Sequence, residues 1–319
     1  MMFNRKITVI GAGSVGSAAA FTLALTGTAS EIVLVDINET KAQGEALDIY
    51  QGTPLMDSHV DIYAGTYEDA KDSSIVVITS GVPRKADQTR LELTKTNVDV
   101  LKSIAPNITR YCPDATYLLV SNPVDILTYA FTKISGLPDS RVIGTGTLLD
   151  TARLRSFISR AFNVSQKSVH AYVFGEHGDT SFIPWSINNI SGIDPIKNSN
   201  LFLLQNGMTP PTINCDQIED HIRTSGAEII RKKGYTNYAI STAVQTVCET
   251  LYSSNCSTLM VSAMLHGEYG LSDVCLSLPT LIGNGCVQGH IMPRLLPDEA
   301  EKLMTSAAAL KSVIKELSL

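Results

Sequence analysis

The chain has 319 residues, 44% of them hydrophobic and 18% charged, which fits a soluble globular protein of one large domain or two ordinary ones. Its formal net charge is −6 and its pI is near 5.5, so it has no basic footprint for nucleic acid or for an anionic membrane. An anionic small molecule would have to be met by local arginines.

Residues 6–10 predict a strand, followed by Gly11-Ala12-Gly13-Ser14-Val15-Gly16 and an alanine-rich helix. Residues 31–36 predict a second strand, ending in Asp36, 20 residues after Gly16. Asn38 then caps a helix to about residue 51, stopped by Gly52-Thr53-Pro54. Residues 60–63 and 74–78 are short β-branched runs and read as strands, and residues 91–110 read as a helix. Residues 115–120 form another buried strand, closed by Ser121-Asn122-Pro123, and residues 141–144 the next. Buried strands alternating with helices predict an α/β fold built on a doubly wound parallel sheet. Ligands of such sheets sit beyond the strand carboxyl ends, where Asp36, Ser80, Asn122 and Thr145 converge.

The second half changes character. Residues 168–174, 257–266 and 274–282 read as strands of a mixed or antiparallel sheet, with Gly283-Asn284-Gly285 as a hairpin turn. Residues 214–233, 236–253 and 297–317 read as helices. No repeat or low-complexity linker is visible, so the boundary near residue 145 is a change of pattern and separates residues 1–145 from 146–319. The six cysteines show no Cys-x-x-Cys spacing and read as reduced thiols. Residues 1–5 are too short and polar for a signal peptide, and the longest apolar stretch, around residues 16–25, falls short of the ~20 that a membrane span needs. A cytoplasmic location without membrane contact is expected.

Each part of the first motif has a job at a dinucleotide. Gly11 permits the tight turn, Gly13 lets the backbone approach a pyrophosphate, and Gly16 lets the helix pack close to the strand. The helix N-terminus offers free N–H groups to the phosphates. Asp36 can accept from a ribose diol and would repel a 2′-phosphate, which argues for NAD over NADP. Chemistry is suggested further on. Asp150 and Arg153 are three apart on a predicted helix and share a face, while Arg155 points elsewhere. His177 is flanked by Gly175 and Gly178 at the end of a predicted strand.

The segments GAGSVG, SNPVD, GTGTLLDTARLR and GEHGDT, in this order and spacing, resemble the L-lactate/L-malate dehydrogenase family over essentially the whole chain. The resemblance implies a Rossmann NAD-binding domain over residues 1–145 and an α+β substrate domain over residues 146–319. His177 matches the proton donor, and its pKa class suits the task. Asp150 matches the carboxylate that fixes the imidazole tautomer, and Arg153 the fork that grips a substrate carboxylate. Arg90 matches the loop arginine that polarises the carbonyl, and Asn122 the amide near the substrate oxygen and nicotinamide ribose. The implied cofactor contacts are Gly11, Gly13, Ser14, Val15, Gly16, Asp36, Ile37, Lys41, Thr79, Ser80, Gly81, Val120, Asn122 and Ile240; no metal is implied.

Two features pull the expected substrate in different directions. Arg84 occupies the position that reads the far end of the substrate, where the family pairs glutamine with lactate and arginine with malate. An arginine enclosed without an anionic partner costs about 3–5 kcal/mol, which would favour oxaloacetate over pyruvate. The segment around Thr236, with Thr236 facing the substrate side chain, and that running from Gly175 through Trp185 instead resemble the bacterial lactate group. Ala86-Asp87 replaces the usual Pro-Gly of the mobile loop, so the register of Arg84 need not follow the malate rule. Arg155 and His170 match the positions where the bacterial lactate group binds fructose 1,6-bisphosphate between subunits, and a homotetramer is implied. L-lactate dehydrogenase is the expected activity, with a malate or broad L-2-hydroxy acid enzyme second. A non-catalytic NAD-binding protein would have no need of His177, Asp150, Arg153 and Arg90 together.

Overall fold

The computed structural model describes residues 5–82, 90–198, 202 and 213–317, with the Arg90 side chain excepted. Six parallel strands, β1 (Lys6–Ile10), β2 (Glu31–Val35), β3 (Asp61–Ala64), β4 (Ile75–Ile78), β5 (Thr116–Leu119) and β6 (Val142–Gly144), lie in the order 3-2-1-4-5-6. The strands are almost wholly buried because helices cover both faces. Helices α1 (Ser14–Leu25) and α2 (Glu39–Gly52) pack on one side, and α3 (Arg90–Tyr111) and α4 (Val124–Ser135) on the other. Asn38 caps α2 as expected, its Oδ1 accepting the Lys41 N–H at 3.1 Å.

The second half contributes α5 (Leu148–Phe162), β7 (Val169–His170), β8 (Asn189–Ile190), α6 (Cys215–Lys233), α7 (Tyr238–Tyr252), β9 (Ser257–His266), β10 (Ser272–Gly283), β11 (Cys286–His290) and α8 (Pro297–Glu316). Its antiparallel strands do not build a separate layer. β9 joins β6 through the pair Gly144 and Ser262, and β10 and β11 continue outward to make one nine-stranded mixed sheet. Gly144 makes the junction possible: a Cβ there would meet Thr128 Oγ1 and lie 3.1 Å from both Ser262 Cβ and Val124 Cγ2. The hairpin at Asn284-Gly285 is present, both residues at positive φ (50° and 82°).

The strand expected over residues 168–174 is shortened to β7. Beyond His170 the backbone finds side chains instead of a ladder. The Tyr172 N–H donates to Asn188 Oδ1 at 3.1 Å, and the Val173 N–H to Thr151 Oγ1 at 3.0 Å.

Candidate active site

Helix α5 supplies the centre of the site. Its cap residue Thr147 is tied down twice: its N–H donates to Ser277 Oγ at 2.9 Å, and its hydroxyl to Val173 O at 2.5 Å. The second bond joins the helix start to the segment leading to His177. Asp150 is the third residue of the helix, where the positive dipole end favours a carboxylate. Arg153 follows on the same face, and its Nη1 donates to Asp150 Oδ1 at 2.7 Å.

His177 arrives by another route. Gly175, at φ +89°, exchanges two 3.0 Å backbone hydrogen bonds with Ser277 of β10. A Cβ at Gly175 would lie 2.7 Å from Ser306 Oγ on α8, so only glycine brings the chain through here. Two residues on, the His177 N–H donates to Asp125 Oδ2 at 2.7 Å, and the ring Nδ1 lies 2.5 Å from Asp150 Oδ2.

The charges settle the tautomer. Burial alone would raise the Asp150 carboxyl, but His177 and Arg153 outweigh it and hold the group below its ordinary value. An ionised carboxylate only accepts, so Nδ1 carries the proton and Nε2 is the ring nitrogen left for a ligand. The Asp150 charge raises the imidazole from 6.5 to about 8, against burial and the Arg153 charge.

These groups line a cleft of about 340 Å³, which also takes in Asn122 and Thr145 at strand ends, and Val15, Val120, Thr236 and Ile240. The sequence reading missed its far wall on α6: Arg223, Gly226, Ala227 and Ile230. Their spacing is a helical face of small residues between longer ones, a signal open to a closer reading. The α6 backbone approaches Arg153 so nearly that a Cβ at Gly226 would be 3.6 Å from Arg153 Nη2. Arg223 donates to Ser181 O at 3.1 Å and to Asp220 Oδ1 at 2.6 Å.

The dinucleotide motif is built as its spacing suggests. Gly11 sits at φ +102°, and a Cβ at Gly16 would run into the Gly11 carbonyl oxygen. Gly13 differs: its backbone is extended and a Cβ would meet nothing within 4 Å. Its openness is therefore not imposed by packing. Helix α1 starts there, at Ser14, with no side-chain cap on its free N–H groups. Asp36 Oδ2 accepts from Ala12 N–H at 2.6 Å and Oδ1 from Asn38 N–H at 2.8 Å, leaving one lone pair on each oxygen for a diol. The open space at Gly13, the free N–H groups of α1 and the spare lone pairs of Asp36 fit a dinucleotide. Ile37 is fully exposed beside Asp36, and Lys41 is exposed on the first turn of α2. Thr79 is committed to the glycine turn, its hydroxyl lying 3.1 Å from Ile10 O and 3.0 Å from Gly11 O. Ser80 O accepts the Ser121 hydroxyl at 2.6 Å, and Gly81 follows on the surface. Among the described residues no cluster of three or more His, Cys, Asp or Glu could hold a metal ion.

Two family models match the chain: lactate/malate dehydrogenase, NAD binding domain, over residues 5–144, and lactate/malate dehydrogenase, alpha/beta C-terminal domain, over residues 147–318. The chain belongs to the lactate/malate dehydrogenase family. An L-lactate dehydrogenase of Thermoanaerobacterium saccharolyticum is 44% identical over 314 residues, spanning 98% of this chain and 99% of its own. One of Acetivibrio thermocellus is 43% identical, spanning 99% and 98%. Among solved structures, the minor L-lactate dehydrogenase of Enterococcus mundtii in a ligand-bound form superposes with a TM-score of 0.92 at 35% identity, covering 98% of both chains.

For a member of the lactate/malate dehydrogenase family, the remaining expected residues fall in three places. Arg84 lies outside the described residues, as do Ala86 and Asp87 of the same loop. Arg90 opens helix α3. Arg155 and His170 are on neighbouring elements away from the cleft lining. The Arg155 Nε–H donates to Ala171 O at 3.0 Å, and its guanidinium lies 5.2 Å from the Tyr172 ring centroid, while His170 is exposed on β7.

Proposed function

We propose that this chain is an NAD-dependent L-lactate dehydrogenase, interconverting pyruvate with NADH and L-lactate with NAD. The observation that carries the reading is the Arg153–Asp150–His177 chain of hydrogen bonds opening on one cleft. Bound NADH supplies the hydride for the carbonyl carbon. The His177 imidazolium gives its Nε2 proton to the carbonyl oxygen as the alkoxide develops, and regains one from solvent after release. Arg153 takes the substrate carboxylate, and Asn122 steadies the reacting oxygen. Arg90, reached by resemblance, polarises the carbonyl, and Thr236 meets the substrate methyl. Residues 1–145 hold the dinucleotide and residues 146–319 the acid–base and carboxylate groups.

The NAD preference rests on Asp36, whose charge would repel a 2′-phosphate. Exposed Ile37 gives the adenine an apolar face. Among the described residues no helix is long and apolar enough to cross a membrane, and we assign the enzyme to the cytoplasm. Arg155 and His170 make the proposed fructose 1,6-bisphosphate site in a homotetramer.

NADH oxidation with pyruvate, oxaloacetate and branched 2-oxo acids, run in parallel, tests the reading. Pyruvate should have the highest kcat/KM. An oxaloacetate value about tenfold higher, equivalent to about 1.4 kcal/mol, would overturn it in favour of a malate enzyme reading its substrate through Arg84. Tight NADH binding without turnover on any 2-oxo acid would leave a non-catalytic NAD protein.

A further inference from the structure

One buried carboxylate near the cleft has no part in the mechanism above. Asp125 lies in the first turn of α4 and is 2% exposed. Its Oδ2 accepts the His177 N–H at 2.7 Å. Its Oδ1 faces the hydroxyl of Ser262 on β9, yet neither atom makes a hydrogen bond of ordinary geometry. Ser262 is itself fully buried at the junction with Gly144. Helix α4, strand β9 and the His177 turn therefore meet at one aspartate.

Burying a carboxylate is costly, and here burial pushes it up to about 6 even though Ser262 and the His177 N–H pull the other way. Mere space-filling would be served by leucine or asparagine. The backbone at His177 explains the demand. Gly175 lies at positive φ, and Gly178 turns back to donate to Glu176 O at 2.9 Å. The glycines on either side give the histidine peptide little stiffness of its own.

We propose that Asp125 is a positioning residue for the acid–base step, anchoring the His177 peptide from α4 while Asp150 anchors the ring from α5. The inference rests on the dehydrogenase reading above. Two carboxylates on two helices thus restrain one histidine at both ends. The Asp125 charge also adds to that of Asp150 at the imidazole, opposed by Arg153. The other ionisable groups around Asp125 are Glu176 in the same turn and the Cys275 thiol on β10; Arg223 on α6 borders the same cleft as His177.

Three variants test this. In Asp125→Asn the amide oxygen can still accept the His177 N–H while its NH₂ donates to Ser262, so the anchor stays and the charge goes. In Asp125→Ala both go. Asp125→Ala should lose about 100-fold in kcat for pyruvate even on the acidic plateau, the scale of a misplaced catalytic group, and its basic limb should also move down, with KM changed far less because Arg153 is untouched. Asp125→Asn should lose less rate than Asp125→Ala and move the basic limb of the pH profile down by about half a unit or more. An NMR titration of His177 in the protein without substrate should show the same downward shift. That measurement needs no turnover, so it stands even if pyruvate proves the wrong substrate. Wild-type kcat and an unmoved limb in Asp125→Ala would overturn the proposal. So would an unchanged His177 titration in Asp125→Asn, or a lowered Tm with kcat intact.

Discussion

Arg153 and His177 hold opposite oxygens of the same carboxylate. Asp150 Oδ1 accepts from Arg153 Nη1 at 2.7 Å, and Oδ2 lies 2.5 Å from His177 Nδ1. One buried anion therefore positions both the group proposed to meet a substrate carboxylate and the group proposed to move a proton. Their separation is fixed by a planar unit that cannot bend.

Removing that anion should damage both. Asp150→Asn keeps the size but offers an NH₂ to one neighbour, so the imidazole tautomer is no longer enforced. The kcat for pyruvate reduction should fall about 1,000-fold or more. A variant with kcat within tenfold of wild type, measured by steady-state NADH oxidation, would show that the tautomer is set elsewhere.

The pH profile has a definite sign. Reduction needs the imidazolium, so its kcat/KM should fall as pH rises through about 8, the raised value for His177. Lactate oxidation needs the neutral ring and should climb through the same window. The same shift contributes to fold stability: its contribution is full below the ordinary value of 6.5 and is lost as pH rises to about 8. A reduction limb at the ordinary histidine value would count against control by Asp150.

Two glycines of the dinucleotide turn should answer differently to one methyl group. Gly16→Ala drives a Cβ into the Gly11 carbonyl oxygen, so it should destabilise the protein by about 1–3 kcal/mol and lower its Tm. Gly13→Ala meets open space and a backbone that alanine adopts easily, so stability should stay within about 0.5 kcal/mol. Its NADH affinity should nevertheless drop about tenfold, or 1.4 kcal/mol, because the methyl group would fill the open space proposed for the pyrophosphate. Thermal melts and fluorescence titration with NADH separate the two.

Arg155 offers a test of activation. Burial lowers its pKa below the ordinary arginine value, so an anion beside it regains interaction energy that desolvation cost. Saturating fructose 1,6-bisphosphate should lower the pyruvate KM and shift the oligomer size in sedimentation. Arg155→Gln should abolish both responses. An unchanged KM and size in the wild type would sink the activator site.

Much of this was open to reading in the chain itself, because its local signals agree with its long-range ones. Asn38, Gly52 and Asn284-Gly285 mark helix and hairpin ends that the structure keeps, and short apolar runs alternating with helical stretches mark the six parallel strands. Asp150 and Arg153 stood out as a charged pair sharing one helix face, and His177 by its flanking glycines. The strand after Ser168 stopped early because Asn188 and Thr151 take its N–H groups, and no periodicity reveals a distant side chain. The α6 wall stayed hidden because small residues at Gly226 and Ala227 show only that something approaches, not what. Asp125 entered the sequence reading only as the last residue of the SNPVD segment, and its bond to His177 exists only in three dimensions. Arg84, which divides the two substrate readings, lies outside the described residues.

The Arg153 guanidinium holds the imidazole's proton affinity down. A carboxylate docking on that guanidinium cancels part of its field. An arriving 2-oxo acid thereby keeps protonated the imidazole that will serve it, and a non-reacting analogue should draw a proton out of weakly buffered solution at slightly alkaline pH as it binds.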